Sequence, residues 1–162
     1  MRIVVAAVGR SRAGKDGAPE QILFDDYARR LVGRGPAAMT LELREVEERR
    51  KLPTEARRTS EAELLLAQIP KGATRVALDG RGKTLGSEEF AKRLRIWSDD
   101  GVADLAFVIG GADGLDRRVM DGAALIVSLG AMTWPHLLVR AMLAEQLYRA
   151  QSILLGHPYH RA

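Results

Sequence analysis

Hydrophobic and polar positions follow two rhythms along this chain. RIVVAAVG (2–9) is a short apolar run and predicts a buried strand. Ile22, Leu23, Tyr27 and Leu31 recur at helical spacing and predict a helix over 19–31. Met39, Leu41, Leu43 and Val46 alternate loosely, as in a half-buried strand. The charged stretch EERRKLPTEARR (47–58), broken by Pro53, predicts a solvated, mobile loop running into a helix over 61–68. From position 74 the rhythm is more regular. TRVALDG, ADLAFVIGG and ALIVSLG read as strands, separated by a helix in SEEFAKRLRIWSDD and a short one over 113–121. Pro135 then opens a long helix with an apolar stripe of Val139, Leu143, Leu147, Ala150 and Leu154, stopped at Gly156. Strands alternating with helices predict an α/β fold, a three-layer sandwich with a mainly parallel sheet.

Composition narrows the setting. At 162 residues, 46% apolar and 28% charged, the chain fits one globular domain with a real core. No apolar run reaches the roughly 20 residues of a membrane span. The opening apolar stretch is too short for a secretory signal, so a cytoplasmic protein is expected. Cysteine is absent, which excludes disulfides and thiolate metal sites, and no metal is expected. A net charge of +4, carried mainly by arginine, is compatible with RNA without requiring it.

Three loops at strand ends carry the candidate chemistry. ALDGRGKT (77–84) ends like a phosphate-binding loop, but Ala77 occupies the position of that motif's first glycine, which argues against a nucleoside triphosphatase. VIGGADGL (108–115) is a partial dinucleotide fingerprint with Ile109 at its first glycine position. No clear acidic ribose partner follows at the usual distance, so a dinucleotide-dependent oxidoreductase is disfavoured. SLGAMTWP (128–135) joins the last strand to the last helix. Together the loops predict one cleft with Leu78 on the first, Gly110 on the second and Leu129–Trp134 on the third. The glycines around Gly110 can serve a tight turn into the short helix, and they also leave bare backbone that a ligand could approach closely. Such a wall of amides and apolar side chains suits an adenine ring and a thioether better than a polyphosphate.

ALDGRGK, FVIGGADGL, MTWPHLLVRAMLAEQLYRA and the closing HPYHR together resemble the RlmH (YbeA-like) family of large-subunit ribosomal RNA methyltransferases, in the SPOUT superfamily. The likeness runs from VAAVGR to the tail and is densest from Thr74 onward. It implies a single domain over 1–162 whose part from about 74 to the end threads a trefoil knot, an exception to the usual unknotted chain. It also implies S-adenosylmethionine as cofactor, bound by Leu78, Gly110, Leu129, Gly130, Ala131, Met132, Thr133 and Trp134. The implied activity is methylation of N3 of a pseudouridine in a 23S rRNA stem-loop, on assembled ribosomes. The implied assembly is a homodimer packed through the knot helices.

The tail HPYHRA (157–162) holds two of the chain's three histidines. In such a dimer Tyr159, His160 and Arg161 of one subunit would complete the partner's site. His160 is then the expected base and Arg161 the cation stabilising developing charge or clamping phosphate. Arg140 and Arg149, projecting from the last helix, are candidate RNA contacts. His136 reads as structural, and Glu145 as a core-side partner for an arginine. A non-catalytic RNA-binding or ribosome-assembly protein of the same fold is the competing expectation, separable by whether the protein takes up S-adenosylmethionine.

Overall fold

The computed structural model describes residues 1–11, 18–33, 35 and 37–159. Its first elements are β1 (Arg2–Val8), α1 (Pro19–Arg30), β2 (Thr40–Val46), α2 (Thr54–Gln68) and β3 (Thr74–Thr84). They are followed by α3 (Ser87–Asp99), β4 (Asp104–Ile109), α4 (Arg117–Asp121), β5 (Leu125–Ser128) and α5 (His136–Leu154). The five strands form one sheet in the order β2-β1-β4-β3-β5. Every pairing is parallel.

The sheet is apolar because both its faces are covered. On one face Ile3, Val5 and Phe107 meet Phe24, Phe90, Leu94, Leu143 and Leu147 from α1, α3 and α5. On the other, Ala6, Val8 and Val108 meet Ala62, Leu65 and Val119 from α2 and α4. The three-layer expectation therefore holds. β1 lies between β2 and β4, and Ile3–Ala7 have no accessible surface, which accounts for its unbroken apolar run.

Several local expectations are corrected. The stretch predicted as a loop up to Arg58 is already helix from Thr54. Pro53 is not a break but the residue before the first helical turn, where proline is tolerated. The charges that suggested a loop are on the helix's outer side, where Arg58 pairs with Glu55 one turn back. On α1 the anchor is Phe24, 3% exposed, whereas Ile22 and Leu23 are 52% and 46% exposed. The short helix starts at Arg117 rather than 113, capped by the Asp116 side chain accepting from the Arg118 N–H at 2.8 Å.

β3 departs furthest from its expectation. It continues past Gly80 to Thr84, and its register jumps: Leu78 and Lys83 are both paired with Val127 of β5. The intervening chain therefore leaves β5 and returns to it. Gly82 makes the return at such close quarters that a Cβ there would lie 2.6 Å from the Ile126 carbonyl carbon. Only glycine fits between two backbones so close.

Candidate active site

Ligands of open parallel sheets bind beyond the carboxyl ends of the strands. Here the ends of β3, β4 and β5 surround a cavity of about 290 Å³. Leu78, Gly110 and the whole of Leu129–Trp134 line it, so the three predicted loops do meet in one cleft. The β4-β3-β5 order places these strand ends side by side, although they are far apart in sequence. Ser128 sets the third loop's path: its hydroxyl donates to the Gly130 carbonyl at 3.0 Å and accepts from the Gly130 N–H at 3.3 Å. Gly130 itself takes φ +112°, a left-handed conformation that favours glycine.

The glycines divide between the two roles open to them. A Cβ on Gly110 would lie 2.9 Å from the Gly114 carbonyl carbon and 3.1 Å from Leu115 Cδ2. Gly110 thus makes room for its own turn, not open space for a ligand. Open space lies beside Gly80 and Gly130, both in the cavity wall. Asp79 adds a carboxylate, kept well below the usual range by hydrogen bonds from the Arg81 guanidinium at 2.8 and 3.0 Å. Trp134 contributes an indole whose buried Nε1 has no acceptor among the described residues.

His136 is also on the wall, which the structural reading of that residue did not anticipate. Its Nε2 would stand only 2.8 Å from a Cβ on Gly9, so the imidazole lies directly against the end of β1. Burial first, and the Arg140 charge second, lower its pKa below the ordinary 6.5, leaving it neutral at physiological pH. Arg140 does not project toward a partner: it is 2% exposed, and its guanidinium bonds to Glu45 and to the carbonyls of Val8 and Gly9, each at 2.7 Å. These bonds fasten α5 to the end of β1 and take Arg140 out of the candidate RNA contacts.

The tail takes a different position from the cleft. Tyr159 is not among the cavity-lining residues and packs on its own α5. Its hydroxyl donates to Glu145 at 3.2 Å, and its ring meets Tyr148 edge-on at 4.7 Å. Arg149 is bonded to Glu145 and stands over the Tyr159 ring at 5.0 Å, so Glu145 is indeed an arginine's partner. Burial raises the Tyr159 phenol's pKa, so it remains protonated. His160 and Arg161 lie outside the described residues. A second, more apolar cavity of about 510 Å³ opens beside this cluster, lined by Leu23, Leu85, Leu138, Met142 and Glu145 among others.

The family described as "Predicted SPOUT methyltransferase" matches residues 1–160. The chain belongs to the SPOUT methyltransferases. Its relatives include proteins named "Ribosomal RNA large subunit methyltransferase H" from several bacteria. That of Paramagnetospirillum magneticum is 55% identical over 99% of both chains. That of Rhodospirillum centenum is 54% identical over the full length of both. That of Paracoccus denitrificans is 51% identical over 99% of both.

The cleft fits the cofactor that methyltransferases of this family imply. Leu78, Ile109, Leu115 and Val139 offer apolar surface to an adenine ring and a thioether. The orphaned Trp134 Nε1–H is a donor in need of an acceptor. His136 and Gly80 were missed by sequence reading because an isolated histidine in a first helical turn and a glycine in a broken motif carry no periodic signal.

Proposed function

We propose that this chain is an S-adenosylmethionine-dependent rRNA methyltransferase that methylates N3 of a pseudouridine in a large-subunit stem-loop on assembled ribosomes. The observation that carries the proposal is the convergence of Leu78, Gly110 and Leu129–Trp134 on one cavity, in a chain matching rRNA methyltransferases over its full length. The bound cofactor supplies an electrophilic methyl group on sulfur. Methylation forms the N3–CH₃ bond, breaks a sulfur–methyl bond and releases the N3 proton to a base. The protein's task is to orient the ring, exclude water and hold that proton.

His160 is proposed as the base and Arg161 as the stabilising cation, delivered with Tyr159 from a second copy. Two features support delivery in trans. Tyr159 lies outside its own chain's cleft, and Leu138, Met142 and Leu85 leave an apolar cavity beside α5 for a partner to fill. Leu143 and Leu147 are consumed by their own core at 2% and 0% exposure, whereas Leu138 and Met142 border the cavity and are offered as the dimer surface. His136, neutral on the cleft wall, is a second candidate base. Arg149 is the remaining helix candidate for RNA. The trefoil knot that the resemblance implies is part of the same proposal.

The test is transfer of labelled methyl groups to ribosomes from cells lacking the modification, followed by mapping of the labelled base. Label on N3 of a large-subunit pseudouridine is expected. Label elsewhere, or none from folded protein that binds the cofactor, sinks the assignment. Replacing His136 and His160 separately by asparagine identifies the base, because only loss of the base removes the pH dependence of the rate.

A further inference from the structure

Glu61 on α2 is a buried carboxyl that forms no ion pair with the described residues. It is 7% exposed, and its Oε2 has no hydrogen-bond partner among the described residues. Burying an unpaired carboxyl is costly, and native folds retain such groups sparingly. Its position sets it against the second cavity loop. A Cβ on Gly111 would stand 3.2 Å from Glu61 Oε2, 3.3 Å from Oε1 and 3.1 Å from Val8 Cγ1. The backbone of the second cavity loop therefore rests directly on the Glu61 carboxyl.

The same helix holds that loop again one turn earlier. Arg57, four residues before Glu61 and on the same side of α2, pairs with Asp113 at 3.4 Å. Within the loop, the Gly114 N–H donates to the Gly111 carbonyl at 3.1 Å. Gly110, Gly111 and Gly114 line the cavity, while Glu61 does not. The carboxyl thus faces the loop from behind, and Arg57 grips its tip.

Resting on the cofactor reading above, we propose that Glu61 is a positioning residue for S-adenosylmethionine, acting through Gly111 to hold the Gly110–Gly114 turn in the shape that forms the cavity wall. The contact depends on the reach and planar shape of the side chain rather than on its charge. Glu61→Gln keeps both, whereas Glu61→Asp keeps the carboxylate but withdraws it by one methylene from Gly111.

Calorimetric titration with S-adenosylhomocysteine separates the possibilities. The Asp variant is expected to bind at least about tenfold more weakly than wild type, and the Gln variant within about threefold of it. In methyl transfer the Asp variant should raise KM for the cofactor and leave kcat unchanged, the pattern of lost ground-state binding. A residue that merely supported folding would change the melting temperature without this split. Wild-type affinity in a folded Asp variant, or equal losses in Asp and Gln, overturns the proposal. If the Asp variant does not fold, Glu61→Met replaces it; this change keeps the length of the side chain but removes the planar end that faces Gly111, and unchanged affinity again overturns the proposal. Absence of binding by the wild-type protein refutes the cofactor reading itself, a result distinct from any failure confined to Glu61.

Discussion

Gly80 and Gly110 both line the cleft, yet they lack side chains for different reasons. Gly110 must be bare to let its own turn close, while the space beside Gly80 is open and its backbone is not left-handed. Gly80→Leu is therefore the cleaner probe of ligand approach. It is expected to fold normally and to weaken S-adenosylhomocysteine binding by at least about tenfold, roughly 1.4 kcal/mol. Wild-type affinity in the folded variant would remove Gly80 from the site. Glu61 supports a second prediction. Burial, reinforced by Asp113 and Glu48 and opposed by Arg57, raises its folded pKa above 4.5. The unfolded chain then loses the Glu61 proton first, so wild type loses stability relative to Glu61→Gln as pH rises from about 4.5 through the raised value. Above that value the difference is constant. Urea unfolding of both proteins at about pH 4 and about pH 8 checks the sign. A difference that does not change with pH would contradict it.

At the level of elements, the return of β3 to β5 is the feature on which the cleft depends. β5 supplies Val127 and Ser128, from which the third loop departs, and both are held by β3 beyond its register jump. Gly82→Ala places a methyl within 2.7 Å of three backbone atoms of Ile126 and Val127, none of which is a flexible side-chain end. The strands must separate to admit it. A loss of about 1–3 kcal/mol in unfolding free energy is expected, with cofactor affinity falling as well because the third loop shifts. An unchanged denaturation midpoint would show that the crossing is looser than its geometry. α2 is helical despite two local signals against it. Charge density and Pro53 indicated loop, but Arg57 and Arg58 each found an acid, and the proline preceded the first turn, so neither signal opposed a helix.

For the whole molecule, the prediction concerns assembly. Sedimentation should give about twice the 17.8 kDa of one chain at micromolar concentration. The sharper test mixes two defects. A chain lacking 159–162 retains the cleft, and a full-length Gly80→Leu chain retains the tail. Each homodimer should be inactive, while their heterodimer has one complete composite site. It is expected to recover roughly half of wild-type activity if the two sites act independently. Verified heterodimers with no activity, formed from chains that fold, would show that the tail does not act in trans.

What the sequence determined by itself is what repeats or is locally dense. The alternation of apolar strands and amphipathic helices specified a parallel three-layer fold, because each period states which side of an element is buried. The three loops were legible from glycines at strand ends, and the family from its dense C-terminal motifs. Tertiary structure alone decided which of the singular residues faced the cleft. Arg140 and His136 are one turn apart on α5, yet the first is committed to the β1 carbonyls and the second lines the cavity. Glu61 stands among many glutamates in sequence and becomes distinctive only when α2 docks behind Gly111. The physical reason is that a lone polar side chain derives its role from partners distant in the chain, and pairing across the sheet, not local periodicity, brings those partners together.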